Sequence, residues 1–515
     1  MKVKGVLLIL AIFAICVNLY AEERPKVIVG ITISQFYPEW IKGYEYELGS
    51  GGFNRIVKNS KYLRGDYGYA YSQTGTDQAT IYTGTYPSEH GIVSHTWFNR
   101  LNKRFVKNID SDTTPVNIQS LSASAYLRMS NPYSKAYSIA MRAEDAIMAG
   151  GAYATNIFWF DDNVGRMTSS TFCMERPTWL SGLNRRINAD SLISAGWMPL
   201  LRELQYKRKA ISRVSAKAGA DFYYDLQQLK NEYSNYSVLN AVPFSNDIVT
   251  ECAIELMKRE RIGMDKETDL LMLNFSSLDY MNRDYAVNSM EFKDLVMRMD
   301  RCIERILNTL DEQCGPGEYT LFVTFAEGRE LLPVDLAQYR YQGNYFSIYR
   351  AVALLKSYLK LLYGDGDWIA SYNSSQIYLN RELIQRNKLN LADFQRVVAD
   401  FIIDFEGIST VITATELNLA TSEGGDIGLI KNSYYSKRSG DVFFTLEQYW
   451  IPTLQDREDS YCRYSKRRYA PVFFYGKGSD KIEKNACQMI DVLPTICHLA
   501  GIILPYNING VSLME

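Results

Sequence analysis

The chain has 515 residues, 47% hydrophobic and 22% charged, enough to bury a large core and to exclude global disorder. Lys and Arg number 56 against 58 Asp and Glu, and the resulting net charge of −2 excludes a general nucleic-acid binder. Only 3 His occur, His90, His95 and His498, which argues against a multi-histidine metal centre.

Met1-Lys2-Val3-Lys4 is a positive lead-in to the apolar run Gly5 to Val17, too short to span a bilayer comfortably, and Ala21 is a suitable cleavage residue. This pattern predicts an export leader over 1–21 and a mature chain, 22–515, that is periplasmic or secreted, with no transmembrane segment. The mature chain keeps seven Cys, an odd number that leaves at least one thiol unpaired. Cys302 with Cys314, and Cys462 with Cys487, are the candidate bridges.

Lys26 to Ile33 is a continuous apolar run, as expected of a strand buried on both faces. Leu270 to Phe275, Thr320 to Phe325 and Pro471 to Tyr475 read the same way. Helical periodicity separates them, over Asp247 to Arg259 and Met290 to Glu312, and again over Gln488 to Ala500. The alternation predicts a doubly wound, mostly parallel α/β sheet with helices on both faces. Chemistry in such sheets sits at the carboxyl ends of the strands. No linker appears, so one domain over 22–515 is expected, with insertions at about 98–240 and 335–445.

Thr74-Gly75-Thr76-Asp77-Gln78 runs on through Tyr82-Thr83-Gly84 to Pro87-Ser88-Glu89-His90-Gly91. This segment resembles the nucleophile region of the alkaline phosphatase superfamily. The branch is that of the bacterial periplasmic alkaline phosphatases and the type I phosphodiesterases and nucleotide pyrophosphatases with a Thr nucleophile. Ser276-Ser277-Leu278-Asp279, Trp159-Phe160-Asp161, Arg438-Ser439-Gly440-Asp441 and Asp491-Val492-Leu493-Pro494 fit the same branch.

The resemblance implies two zinc ions that activate the Thr hydroxyl and hold the phosphoryl oxygens. Carried over position by position, that site is degenerate here. The first Asp is Ser34, beside a retained Gln35. The nucleophile Thr74 and the carboxylate Asp279 are kept. Arg283 stands where a His is expected, Ala326-Glu327 where Asp-His is expected, and Tyr469 where the last His is expected. At the phosphate-gripping positions stand His95, Arg142 and Glu144, and a carboxylate at the last of these repels an anion.

These losses point to an exported pseudophosphatase with no metal, used for binding or scaffolding in the cell envelope. Its partner would be an envelope protein or an anionic ligand. The alternative is an active phosphatase or phosphodiesterase with one unorthodox metal at Asp279, Glu327 and Thr74. On the first reading Thr74 serves as a helix N-cap, and Arg283 replaces the metal in a charge network with Asp279 and Glu327. His90 and His498 are then structural. The basic run Arg463 to Tyr469 is a solvated loop or an anion-binding segment.

Overall fold

The computed structural model describes residues 24–36, 39–173, 175–201, 223–233, 235–278, 289–326, 340–341, 343–373, 375–421, 424–453, 469–504 and 508–514. Among the described residues, nine strands form the main sheet. They are β1 (Val27–Ser34), β2 (Ser60–Asp66), β5 (Ala136–Ile139), β6 (Asn156–Asp161), β7 (Arg166–Ser169), β8 (Asp269–Phe275), β9 (Thr320–Ala326), β16 (Val472–Gly476) and β17 (Ala486–Gln488). A hairpin, β3 (Thr96–Asn99) and β4 (Arg104–Lys107), stands apart. So do β10 (Asn344–Ser347), paired with β15 (Trp450–Thr453), and a second sheet of β11 (Ile369–Tyr372), β12 (Gln376–Leu379), β13 (Ile408–Thr413) and β14 (Val442–Leu446). The helices used below are α1 (Thr74–Thr83), α2 (Ala143–Gly150), α3 (Phe244–Glu260), α4 (Met290–Cys314), α5 (Ile348–Tyr363), α6 (Leu391–Ile403) and α7 (Val492–Leu499).

The main sheet runs β17-β2-β16-β9-β1-β8-β5-β6-β7. Its centre is parallel: β1 pairs with β8 and β9, and β5 with β6 and β8. Strands β1, β8 and β9 are buried along their whole length, the consequence of helices covering both faces. The four apolar runs are therefore strands within a residue of their expected ends, and α3 and α4 form where the helical periodicity places them. Strands β5, β6 and β7 come from within residues 98–240.

Strand β16 is antiparallel to both β9 and β2. This reversal matters for the site, because it brings the start of β16 to the edge where β1 and β9 end. In β1 and β9 the register sets Ser34 opposite Ala326, and the Gln35 N–H donates to the Ala326 carbonyl at 2.9 Å. Gln35 itself takes a left-handed φ of 54°, turning the chain sharply off the sheet edge.

Residues 346–446 carry a second core in which Leu355, Leu359, Trp368, Phe394, Val398 and Phe444 are buried. It is tied to the main body by charge. The Asp441 carboxylate, with no exposed surface, accepts from Arg381 (2.6 Å), Arg100 (3.1 Å) and the Leu379 N–H (2.9 Å). Arg438 lies 4.5 Å over the Trp97 ring and donates to the carbonyls of Gly91 (2.5 Å) and Asn117 (2.8 Å). The motif Arg438 to Asp441 thus clamps the second sheet to the turn after α1 and to the β3–β4 hairpin.

Cys302 and Cys314 are free thiols, which corrects the expected bridge. Both lie on α4, twelve residues apart, hence about 18 Å at 1.5 Å per residue, far beyond disulfide reach. Cys462 lies outside the described residues, and with it the second expected bridge.

Candidate functional site

The carboxyl ends of β1 and β9 face the N-terminus of α1, and there the candidate positions meet. Thr74 is the first residue of α1. The cap is Gln73, in extended backbone, and no side chain caps the helix. The expectation of Thr74 as N-cap is thereby corrected: its hydroxyl turns to the sheet and donates to Ser34 Oγ at 3.3 Å. Ser34 Oγ also receives the Asn274 amide from β8, at 3.3 Å. Ser34 is wholly buried and Thr74 is 1% exposed. Ser34, a hydroxyl, stands where the resemblance requires a carboxylate ligand, and it accepts from Thr74 and Asn274.

Gln73 has a second function that sequence reading missed. Its side-chain oxygen accepts from Ser94 Oγ (3.0 Å) and from the His95 N–H (2.6 Å), and so holds His95 beside the start of α1. Asn274 was missed as well. The signal was available, since it is the one polar side chain in the apolar run Leu270 to Phe275.

His95, Arg142 and Glu144 come together. Arg142 precedes α2, and Glu144 and Asp145 stand in its first turn, where the helix dipole favours acids. His95 Nδ1 lies 2.8 Å from Glu144, and Arg142 Nε lies 3.5 Å from Glu144 and 2.7 Å from Asp145. Burial works to lower the His95 pKa, but the hydrogen bond and charge of Glu144 outweigh it, and the net shift is upward. Burial also works to raise Glu144, and the His95 hydrogen bond and the Arg142 charge carry it below its ordinary value. Asp145 is pushed up to about 6, chiefly by burial. The acid at the phosphate-gripping position is thus neutralised by its own neighbours, and the cations there are committed to carboxylates.

The remaining expected positions separate into two groups. Ala326 presents a methyl group beside Ser34. Tyr469 is 55% exposed, and the Arg64 guanidinium lies 4.3 Å over its ring, so the residue at the last His position holds a cation on its π face. Asp279, Arg283 and Glu327 lie outside the described residues, and the Arg283 charge network with them, as does the basic run up to Arg468.

His90 is buried. Its Nδ1 accepts from the Ile92 N–H at 3.1 Å, and its Nε2 lies 3.0 Å from Thr80 Oγ1. His498 Nδ1 lies 3.0 Å from Ser512 Oγ, far along the chain in α7. Neither faces the Thr74 site.

The described positions alone do not supply the carboxylates and imidazoles that two zinc ions need. Ser34 and Ala326 offer no carboxylate, and Tyr469 offers no imidazole. The one retained donor described, Thr74, donates to the Ser34 hydroxyl. Among the described residues no group of three or more His, Cys, Asp or Glu could hold a metal.

Residues 28–470 match the family of type I phosphodiesterase / nucleotide pyrophosphatase. The chain belongs to that family. It is 26% identical to alkaline phosphatase PafA of Elizabethkingia meningoseptica, over 96% of this chain and 95% of that protein. It is also 26% identical to alkaline phosphatase PhoV of Synechococcus elongatus, over 95% and 92%. The crystal structure of wild-type alkaline phosphatase PafA superposes with a TM-score of 0.85 at 24% identity, covering 96% of this chain and 99% of that one. The fold is therefore alkaline-phosphatase-like, with the large, mostly parallel sheet expected from sequence. Among the described residues no helix is long and apolar enough to cross a membrane.

Proposed function

We propose that this chain is a catalytically silent member of the family, an exported pseudophosphatase with a binding or scaffolding role in the cell envelope. The observation that carries this reading is the Ser34–Thr74 pair. Phosphoryl transfer in this family needs the Thr hydroxyl activated by a metal, and the ligand that would place the metal there is a buried serine accepting hydrogen bonds. An unactivated Thr hydroxyl is a weak nucleophile. The Arg142–Glu144–His95 cluster supports the same reading, because its cations already answer buried carboxylates. The leader over 1–21 supports export, and a single domain over 22–515 remains part of this proposal.

Relatives named alkaline phosphatases keep the competing reading in view: hydrolysis with one atypical metal at Thr74, Asp279 and Glu327. Metal content of the purified protein, measured by mass spectrometry, separates the two. Substoichiometric zinc is the expected result. Two tightly held zinc ions per chain would overturn the proposal.

A further inference from the structure

Helix α5 is apolar on more than its buried side. Ile348, Val352, Leu355 and Leu359 face the second core, whereas Leu354 and Leu361, seven residues apart on one stripe, are 56% and 83% exposed. Helix α6 lies alongside and antiparallel, since Tyr358 stacks on Phe401 at 4.7 Å and Tyr363 meets Phe394 at 4.9 Å. The two helices together present an outward apolar seam of Leu354, Leu361, Tyr358 and Phe401.

The flanks of the seam carry opposite charge. The α5 sequence contains Arg350, Lys356 and Lys360 and no acid; Lys356 and Lys360 project on the edge away from Tyr358, and Lys360 pairs with Asp365, just past the helix, at 2.6 Å. On the α6 side, Asp400 and the C-cap Asp404 are exposed beside Phe401, and Asp393, two turns earlier, pairs with the exposed Arg396 at 3.9 Å, so the acidic flank is carried by Asp400 and Asp404. The surface therefore reads basic, apolar, acidic from one edge to the other.

We propose that this face is a self-association surface whose occupant is a second copy of the chain. A two-fold axis parallel to the seam sets the basic edge of each copy against the acidic edge of the other while the leucines meet at the centre. An axis across the seam would set like charges together, so the charge pattern also selects the orientation, with α5 of one copy over α6 of its partner. A seam about 24 Å long and two helices wide lies at the small end of specific interfaces, so association in the micromolar range is expected. The inference does not depend on whether the Thr74 site is silent.

The test is the solution mass of the mature chain by light scattering at about 100 µM, well above that range. Wild type should be a dimer. Leu361→Asp, and separately Leu354→Asp, should be monomers with unchanged circular dichroism. The decisive arm uses two charge variants: Lys356→Glu/Lys360→Glu makes both flanks acidic, and Asp400→Lys/Asp404→Lys makes both basic. Each alone should self-associate at least about tenfold more weakly, and a one-to-one mixture should restore the dimer as a heterodimer. A monomeric wild type, a dimer that survives both leucine substitutions, or charge variants that fail to pair on mixing would overturn the proposal.

Discussion

The Thr74 hydroxyl donates to the Ser34 hydroxyl across the gap between α1 and β1, 3.3 Å away. A metal-assisted hydrolase of this fold has an anionic ligand at the second of these positions. Here Ser34 Oγ accepts from the Thr74 hydroxyl and from the Asn274 amide, and Ser34 and Thr74 are both buried.

Aryl phosphate monoesters and diesters should therefore not be hydrolysed above background with zinc, magnesium or calcium supplied. Any residual rate should be the same in Thr74→Ala. Turnover that vanishes with that substitution would show a working nucleophile.

Chelation should leave the melting temperature unchanged. A metal bound only by the native state adds several kcal/mol by mass action when it far exceeds its dissociation constant. Differential scanning calorimetry with and without EDTA reads this directly. A lower midpoint restored by one particular metal would contradict the metal-free reading.

The His95–Glu144 pair makes a pH window. The raised His95 pKa contributes stability that is complete below the ordinary imidazole value and lost as pH rises through the folded value. The lowered Glu144 pKa contributes stability that is complete above the ordinary carboxyl value and lost as pH falls through the folded value. The pair is thus most stabilising in mildly acidic solution. In Glu144→Gln, burial acts on His95 without the compensating charge, and its pKa should drop below that of wild type in an NMR titration. An unchanged His95 titration would show that the contact does not persist in solution.

His90 acts in the opposite direction to His95. Burial, aided by the Arg438 charge, lowers its pKa from 6.5 to about 3. The unfolded chain therefore takes up a proton that the folded chain refuses, and stability falls as pH drops from 6.5 towards 3. The slope from this group approaches about 1.4 kcal/mol per pH unit. Asp145, raised to about 6, opposes it, so the readout is the difference between proteins. Urea titrations of wild type and His90→Gln should diverge by this slope between neutral and acid pH, whatever the variant loses at pH 7.

Asp441→Ala should cost about 3–5 kcal/mol, because it strands the Arg100 and Arg381 guanidinium groups that converge on a buried carboxylate. Denaturant unfolding followed by tryptophan fluorescence would measure it. A loss below about 1 kcal/mol would mean that the Asp441 ion pairs do not hold the two cores together.

The parts of this protein that depend on short-range pattern were legible in the residues themselves. Strands β1, β8 and β9 are fully buried, so their apolar runs are unbroken, and α4 repeats its apolar positions at helical spacing. The residues that stand at Ser34, Ala326 and Tyr469 were equally legible, because their identities need no structure. The partners these side chains meet were decided by the tertiary structure. The partners of Ser34 lie 40 and 240 positions away, and those of Glu144 include a histidine carried by a different loop. The Cys302–Cys314 pairing failed for a related reason: nearness in sequence becomes about 18 Å of separation once both lie on one helix. The antiparallel entry of β16, which delivers Tyr469 to the site edge, leaves no mark on local periodicity either. Hydrogen bonding within a segment follows its own residues. Which side chains meet across segments follows from the packing of the whole sheet.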